Sequence, residues 1–444
     1  MNSLRTLRQL PPRARRLIVL NAVNAAGSGV VLPLLVVYLH EMRGLSLTAA
    51  TGAVAATSVG ALVGGPLAGW VSDRFGRVTA VWAALVCAAL GAVGYALCDT
   101  PTTALAAGFV QGLGVGGAIT WNALMADLVP QKHWPVLFSA DFAMVNAMMG
   151  IGGLTGGLLA GMTGSLAVFQ ALFLLDAASF LVTGWLVARE VRRHRSAEPP
   201  AGQSPEPSAE AERPRGGYRA ALGHRWLMAL LVVVLVLFTV GYSQLNSGMP
   251  AVLLADSRLG PTELGVLFAA NTAAVVLVQA ALIGRIKRVT VGVAVALLAG
   301  SWAAFWLLIW AVTGLSGGLL ALLVGVVAMV VFAVGESLLA ATGPTLVNSW
   351  ADDSNRGRFN AAYGFVSSLG FMIGPLLSGR LTDAGHATSM ILGFTAVLAV
   401  LALITFRSRF LPRTPLSALE ETGPEETGPE ETGHEDAAEE GTRA

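Results

Sequence analysis

Long apolar runs alternate with short polar joints along almost the whole chain. Six runs lie near 17–39, 47–70, 78–98, 103–126, 136–161 and 166–188, and six more near 226–254, 262–284, 289–312, 317–347, 359–380 and 388–406. A helix of about 20 apolar residues crosses the ~30 Å hydrocarbon core of a bilayer. The pattern therefore predicts an all-α integral membrane protein with twelve transmembrane helices. The joint at 189–225 is rich in Pro, Glu and Arg and too polar to pack, so it reads as a linker between two six-helix bundles, 17–188 and 226–406. Residues 1–16 carry five arginines, and the run behind them is too long for the core of a cleaved signal peptide. Residues 407–444 form an acidic tail repeating Glu-Glu-Thr-Gly-Pro from Glu420 and from Glu425, a composition expected to stay disordered.

Charge placement predicts the orientation. If the N-terminus is cytoplasmic, Arg43, Arg258 and Arg380 alone among the 28 Lys and Arg side chains fall on the outer side. The positive-inside rule then puts both termini and the linker in the cytoplasm of a multi-pass plasma (inner) membrane protein. Lys132 and Lys287 are the only lysines, a bias of chains from GC-rich bacteria. With 54% hydrophobic and 12% charged residues the composition excludes an ordinary soluble domain, and 52 glycines suit close packing of membrane helices. Cys87 and Cys98 fall in one run, roughly 16 Å apart along a helix, which excludes a disulfide between them. No His or Cys cluster has metal-ligand spacing, and there is no phosphate-binding loop or nucleophile constellation. The expectation is a non-enzyme without metal or cofactor, a monomer whose partners are lipid and a small molecule, with no nucleic acid.

The two halves echo each other. Arg77-Val78-Thr79 matches Arg288-Val289-Thr290 after the second run of each half, Pro33 matches Pro250, and the glycine-rich stretch Gly152–Gly157 lines up with Gly374–Gly379. Pseudo-symmetric halves place a substrate site between them near the midplane, and rocking of one half against the other alternates its access.

The joint after the second run, Gly65 to Val78, packs an acid, two arginines and a helix-stopping glycine into a short gap. Its spacing, Gly69, Asp73, Arg74, Gly76 and Arg77, resembles the loop signature of the major facilitator superfamily (MFS); the second copy has Gly284 where the first has Asp73. Read without the resemblance, the loop is a basic joint that sets topology. The resemblance implies a conformational latch: Asp73 facing the start of the eleventh helix near Arg358 and Phe359, and Arg77 paired with Asp127. The glycines of the fifth run resemble those of the superfamily's antiporters, with Gly153 where proline is expected and Gly374-Pro375 kept in the eleventh. Phe109 to Gly114 is similar to the drug-antiporter Arg-x-x-Gln-Gly pattern, with Gly108 in the arginine's place, which leaves that arginine's proton-coupling role unfilled or taken by another group.

A proton-driven carrier needs a group that gains and loses a proton between its states, and an acid inside a membrane helix costs at least about 2.5 kcal/mol, so it requires a reason. Glu336 and Asp176 lie well inside their runs. In the fold that the resemblance implies, the first, fourth, seventh and tenth helices line the cavity, which favours Glu336 as the proton carrier. Asp176, on a peripheral helix, is expected to tie helices together, and Asp141 to join a cytoplasmic charge network. Asn24, Gln111, Asn122, Asn146, Gln244 and Asn271, with Trp121 nearby, lie at comparable depth and mark the expected cavity. Few charges among apolar walls suit a hydrophobic or amphipathic compound.

The expectation is an MFS carrier of the drug:proton antiporter branch that exports a small, largely apolar compound in exchange for protons. Two other readings stay open: a facilitator or importer without proton antiport, and a membrane scaffold or sensor that transports nothing.

Overall fold

The computed structural model describes residues 10–127, 129–130, 133–195, 225–257, 259–286, 289–315, 317–349 and 356–407. The linker's 196–224, the tail from 408, Lys132, Lys287 and Arg288 lie outside the described residues. Twelve helices are long and apolar enough to cross a membrane. In the first half these are α1 (Pro12–Met42), α2 (Leu47–Phe75), α3 (Arg77–Leu97), α4 (Pro101–Ala126), α5 (Trp134–Thr163) and α6 (Leu166–Arg195). The second half begins with α7, built from Arg225–Val240, Tyr242–Asn246 and Gly248–Asp256. It continues with α8 (Pro261–Ile286), α9 (Val291–Thr313), α10 (Gly318–Ser349), α11 (Arg356–Asp383) and α12 (Ala387–Arg407). We call the face where α1 begins and α12 ends proximal, and the opposite face distal.

Local chemistry sets the ends. Ser46 caps α2, its side chain accepting the Ala49 N–H at 3.1 Å, and Thr100 and Thr103 form a capping box at α4. Gly76 ends α2 and starts α3 as a single residue at φ +87°, a conformation that a side chain would strain, so the two helices leave it side by side. Two spans that read as continuous runs are broken at mid-depth. In α4 a turn at Gly116–Gly117 separates Pro101–Val115 from Ala118–Ala126. In α7 a 3-10 turn follows Gly241, and the carbonyls it frees find partners: Thr239 O accepts from Gln244 Nε2 at 2.6 Å, and Val240 O from Trp306 Nε1 at 2.8 Å.

The helices pack as two six-helix bundles with matching neighbours. In the first, α1 packs on α5, α2 on α4, and α3 on α4 and α6; in the second, α7 packs on α11, α8 on α10, and α9 on α10 and α12. The bundles meet through α2 against α11 and α5 against α8. Small residues permit both crossings. A Cβ on Gly157 of α5 would lie 2.7 Å from the Cα of Gly265 on α8, and one on Gly379 of α11 would lie 2.9 Å from the Leu47 carbonyl of α2. Both sites are in the distal half of the molecule.

Candidate functional site

The first bundle encloses a cavity of about 680 Å³. Its lining runs from Leu35, Tyr95 and Phe173, in the distal third of α1, α3 and α6, to Trp121, Asn122, Phe138 and Asp141, which lie within about two helical turns of the proximal ends of α4 and α5. Tyr95, Trp121, Phe138, Phe142, Phe173 and Phe180 contribute aromatic rings to a wall that is otherwise mostly aliphatic and amide. Asp141 and Asp176 are its acids, and no Arg, Lys or His lines it among the described residues.

Asp176 is fully buried on α6, facing α1. Its Oδ1 accepts from Ser28 Oγ at 3.1 Å, while Oδ2 has no hydrogen-bond partner among the described residues. One turn away, Ser179 Oγ donates to the Asp176 carbonyl at 2.8 Å and to Asn24 Oδ1 at 3.4 Å. Gly27 on α1 makes room for this contact, since a Cβ there would lie 3.1 Å from Asp176 Oδ1. Trp121 Nε1 is the second unmet group: it is buried, has no described acceptor, and belongs to a side chain on the same cavity wall. Two side chains of one cavity wall thus carry a buried orphan acceptor and a buried orphan donor, and each costs free energy until a ligand, a proton or water satisfies it. Asp141, at the cavity's proximal end, accepts from Asn21 Nδ2 with both oxygens, at 2.9 and 3.0 Å.

The expected cavity set divides. Asn24, Gln111, Trp121 and Asn122 line the cavity; Asn146, Gln244, Asn271 and Glu336 do not. The reason is that membrane amides without water take the nearest partner. Asn146 donates to Phe142 O on its own helix at 2.9 Å, Gln244 serves the break in α7, and Asn271 Nδ2 reaches Glu336 Oε2 at 3.5 Å. Glu336 also accepts from Tyr242 Oη at 3.0 Å, and the Tyr242 ring stacks on Trp302 at 5.9 Å. Both its oxygens are held in the second bundle. Asp176 lines this cavity, because α6 packs directly on α1, while Glu336 is held inside the second bundle. Asp141 is likewise a cavity wall residue and not only part of a surface charge network.

Gly108 stands where the drug-antiporter pattern has arginine. A Cβ at this position would meet the Ala53 carbonyl and lie 2.7 Å from Tyr95 Oη, so no side chain fits. Tyr95 fills the space instead, its hydroxyl 3.3 Å from Ala53 O and 3.4 Å from Thr57 Oγ1.

At the proximal end, Arg77 forms an ion pair with Asp127 and donates to Ala123 O at 3.0 Å, tying the α2–α3 hinge to the end of α4. Arg74 lies over the adjacent Phe75 ring, at 5.9 Å. Asp73 is exposed and makes no hydrogen bond or ion pair among the described residues. A Cβ on Gly69 or Gly76 of the hinge, or on Gly357 or Gly364 of α11, would meet no described atom within 4 Å. At the start of α11, Phe359 is buried. The distal end is the reverse. Asp383, the last residue of α11, accepts the Leu47 N–H at 3.0 Å, the Thr48 N–H at 2.6 Å and the Thr48 hydroxyl at 2.5 Å. It caps the N-terminus of α2 from the other bundle. Among the described residues, the inter-bundle hydrogen bonds and close glycine crossings lie in the distal half.

A family model described as Major Facilitator Superfamily matches residues 17–333 and 303–435. Two Bacillus subtilis (strain 168) proteins, each described as an uncharacterized MFS-type transporter, are 24% identical to the chain. YttB aligns over 415 residues, 93% of this chain and 98% of its own, and YqjV over 399 residues, 89% and 92%. Among solved structures, a POT peptide transporter in complex with alafosfalin matches with a TM-score of 0.70 at 14% identity, over 93% of this chain and 99% of that one. The nucleoside transporter NupG matches with a TM-score of 0.65 at 14% identity, over 90% and 100%. At these identities the likeness speaks to the fold, and the family model to membership. The chain belongs to the Major Facilitator Superfamily and is a multi-pass membrane transporter.

Proposed function

We propose that the chain exports small amphipathic compounds bearing a cationic nitrogen, in exchange for protons, and that Asp176 is where the two compete. The observation that carries this reading is the pairing of an unpartnered carboxylate oxygen with an unpartnered indole N–H in one aromatic-walled cavity. A charged Asp176 lacks a donor at Oδ2, so either a proton or the cation of a bound compound supplies the missing compensation. Binding of one expels the other. The aromatic rings give an organic cation both apolar contact and cation–π attraction. A peptide, which brings a carboxylate as well, finds no basic partner on this wall.

Alternating access follows from the two ends. The proximal opening faces the cytoplasm on the charge distribution of the sequence, so the cavity loads there; breaking the Asp383 cap and closing the proximal ends, with Asp73 reaching the start of α11, delivers the compound outward. The packing at Gly108 favours a second reading, facilitated diffusion without proton exchange, since the position associated with coupling cannot hold a side chain.

Proteoliposomes carrying a pH-sensitive dye separate the two. Addition of an aromatic cation such as ethidium drives proton movement in wild type and none in Asp176→Asn. Ethidium movement without proton flux in wild type establishes the facilitator instead.

A further inference from the structure

Away from the cavity, the outer surface of the first bundle has a groove of about 560 Å³ between the proximal ends of α1 and α6. Its walls are of two kinds. Arg15, Arg16 and Arg189 surround one end with a single acid, Glu190, and Val19, Leu20 and Leu186 form the other. Arg16 is engaged with Glu190 at 2.9 Å. Arg15 is not matched in this way: its Nε is buried and has no hydrogen-bond partner among the described residues. A guanidinium N–H removed from water without an acceptor is costly, and more so in a low-dielectric wall. The groove therefore holds an excess of positive charge with an unmet donor.

Its depth is fixed by neighbouring side chains. Trp185 is 55% exposed and stacks beneath the Arg189 guanidinium at 5.2 Å, the arrangement of an interfacial ring with a cation reaching toward the headgroups. Val19 and Val23, one turn apart on α1, are each 52% exposed and continue the apolar wall toward the bilayer centre. The cationic end thus sits at headgroup level and the apolar end at acyl-chain level.

We infer that this groove binds one anionic phospholipid, its phosphodiester held by Arg15 and Arg189 and one acyl chain lying along Val19 and Val23. A planar guanidinium matches a phosphodiester with two parallel hydrogen bonds, and the second arginine supplies the remaining charge. A free phosphate satisfies the same arginines but leaves the apolar half of the groove unused. The groove spans α1 and α6, the two helices that Ser28 and Asp176 join deeper in the membrane, so a lipid seated there braces the pair that carries the cavity acid.

The test is thermal unfolding of the purified protein in a neutral detergent, titrated with phosphatidylglycerol, phosphatidylcholine or inorganic phosphate. Wild type is stabilised by phosphatidylglycerol alone, and the double variant Arg15→Gln/Arg189→Gln needs at least about tenfold more of it for the same shift. An unchanged titration in the variant, an equal response to phosphatidylcholine, or a full response to inorganic phosphate each overturns the assignment. If the double variant does not fold, a photo-crosslinkable phosphatidylglycerol on wild type decides. Label concentrated on peptides containing Val19 and Leu186 supports the groove, and label spread evenly over the lipid-facing helices contradicts it.

Discussion

Asp176 and Glu336 are both acids at mid-depth in a membrane bundle, yet their surroundings differ. Glu336 is fully engaged, one oxygen on Tyr242 and the other on Asn271, behind a stack of aromatic rings. Asp176 is equally enclosed but only half satisfied, and its unmet oxygen belongs to a side chain that lines a cavity. Burial alone does not mark a working group. What distinguishes the two is an unfilled hydrogen-bonding capacity on a side chain at a cavity wall.

Substitutions sharpen that contrast. Asp176→Asn removes the charge that a cationic compound pairs with, and transport of such a compound in proteoliposomes falls roughly 100-fold, about 3 kcal/mol, at unchanged expression. Glu336→Gln acts on the fold instead. It disturbs the Tyr242 and Asn271 contacts at a cost of about 2 kcal/mol, read as a lower melting temperature, while the protons moved per compound stay the same. Loss of coupling with an unaltered melting temperature in Glu336→Gln would reverse the two assignments.

Smaller effects test the rest of the machine. Asp383→Ala removes an inter-bundle helix cap worth about 1 kcal/mol, which shifts the closed-to-open ratio at the distal end about fivefold. Distances between spin labels on the distal ends of α2 and α11 measure it, and an unaltered distribution contradicts a role for the Asp383 cap in closing that end. Trp121→Phe keeps the ring and deletes the donor. It weakens binding of compounds that carry an acceptor by about 1 kcal/mol and leaves binding of those without one unchanged, as titration of the two classes will report. Asp127→Asn breaks a half-exposed ion pair within one bundle and changes stability by less than about 1 kcal/mol.

The architecture was legible in the sequence because the bilayer leaves few options: run length fixes a spanning helix, and Gly76 in a short charged joint fixes a tight hinge. One wall of the cavity was also written locally. Asn21, Asn24 and Ser28 fall on one face of α1, and Phe138, Asp141, Phe142 and Val145 recur at helical spacing on α5, a pattern that could have identified Asp141 as a wall residue. The hydrogen-bond partners of Asp176 and Glu336 were not legible, because they depend on what tertiary packing brings to each oxygen. Nor was the distal cap, whose members lie 336 residues apart and share no pattern. Gly108 shows the same limit. Its sequence context resembles a coupling motif with one residue missing, and only its contact with α2 explains why no side chain stands there.

Proton release on binding tests the central claim most directly. Purified protein in weakly buffered detergent at neutral pH, mixed with ethidium, should release protons in step with saturation of the cavity, and Asp176→Asn should bind the same compound weakly without releasing any. Release that persists in Asp176→Asn and vanishes in Glu336→Gln contradicts the account and moves the exchange site to the second bundle.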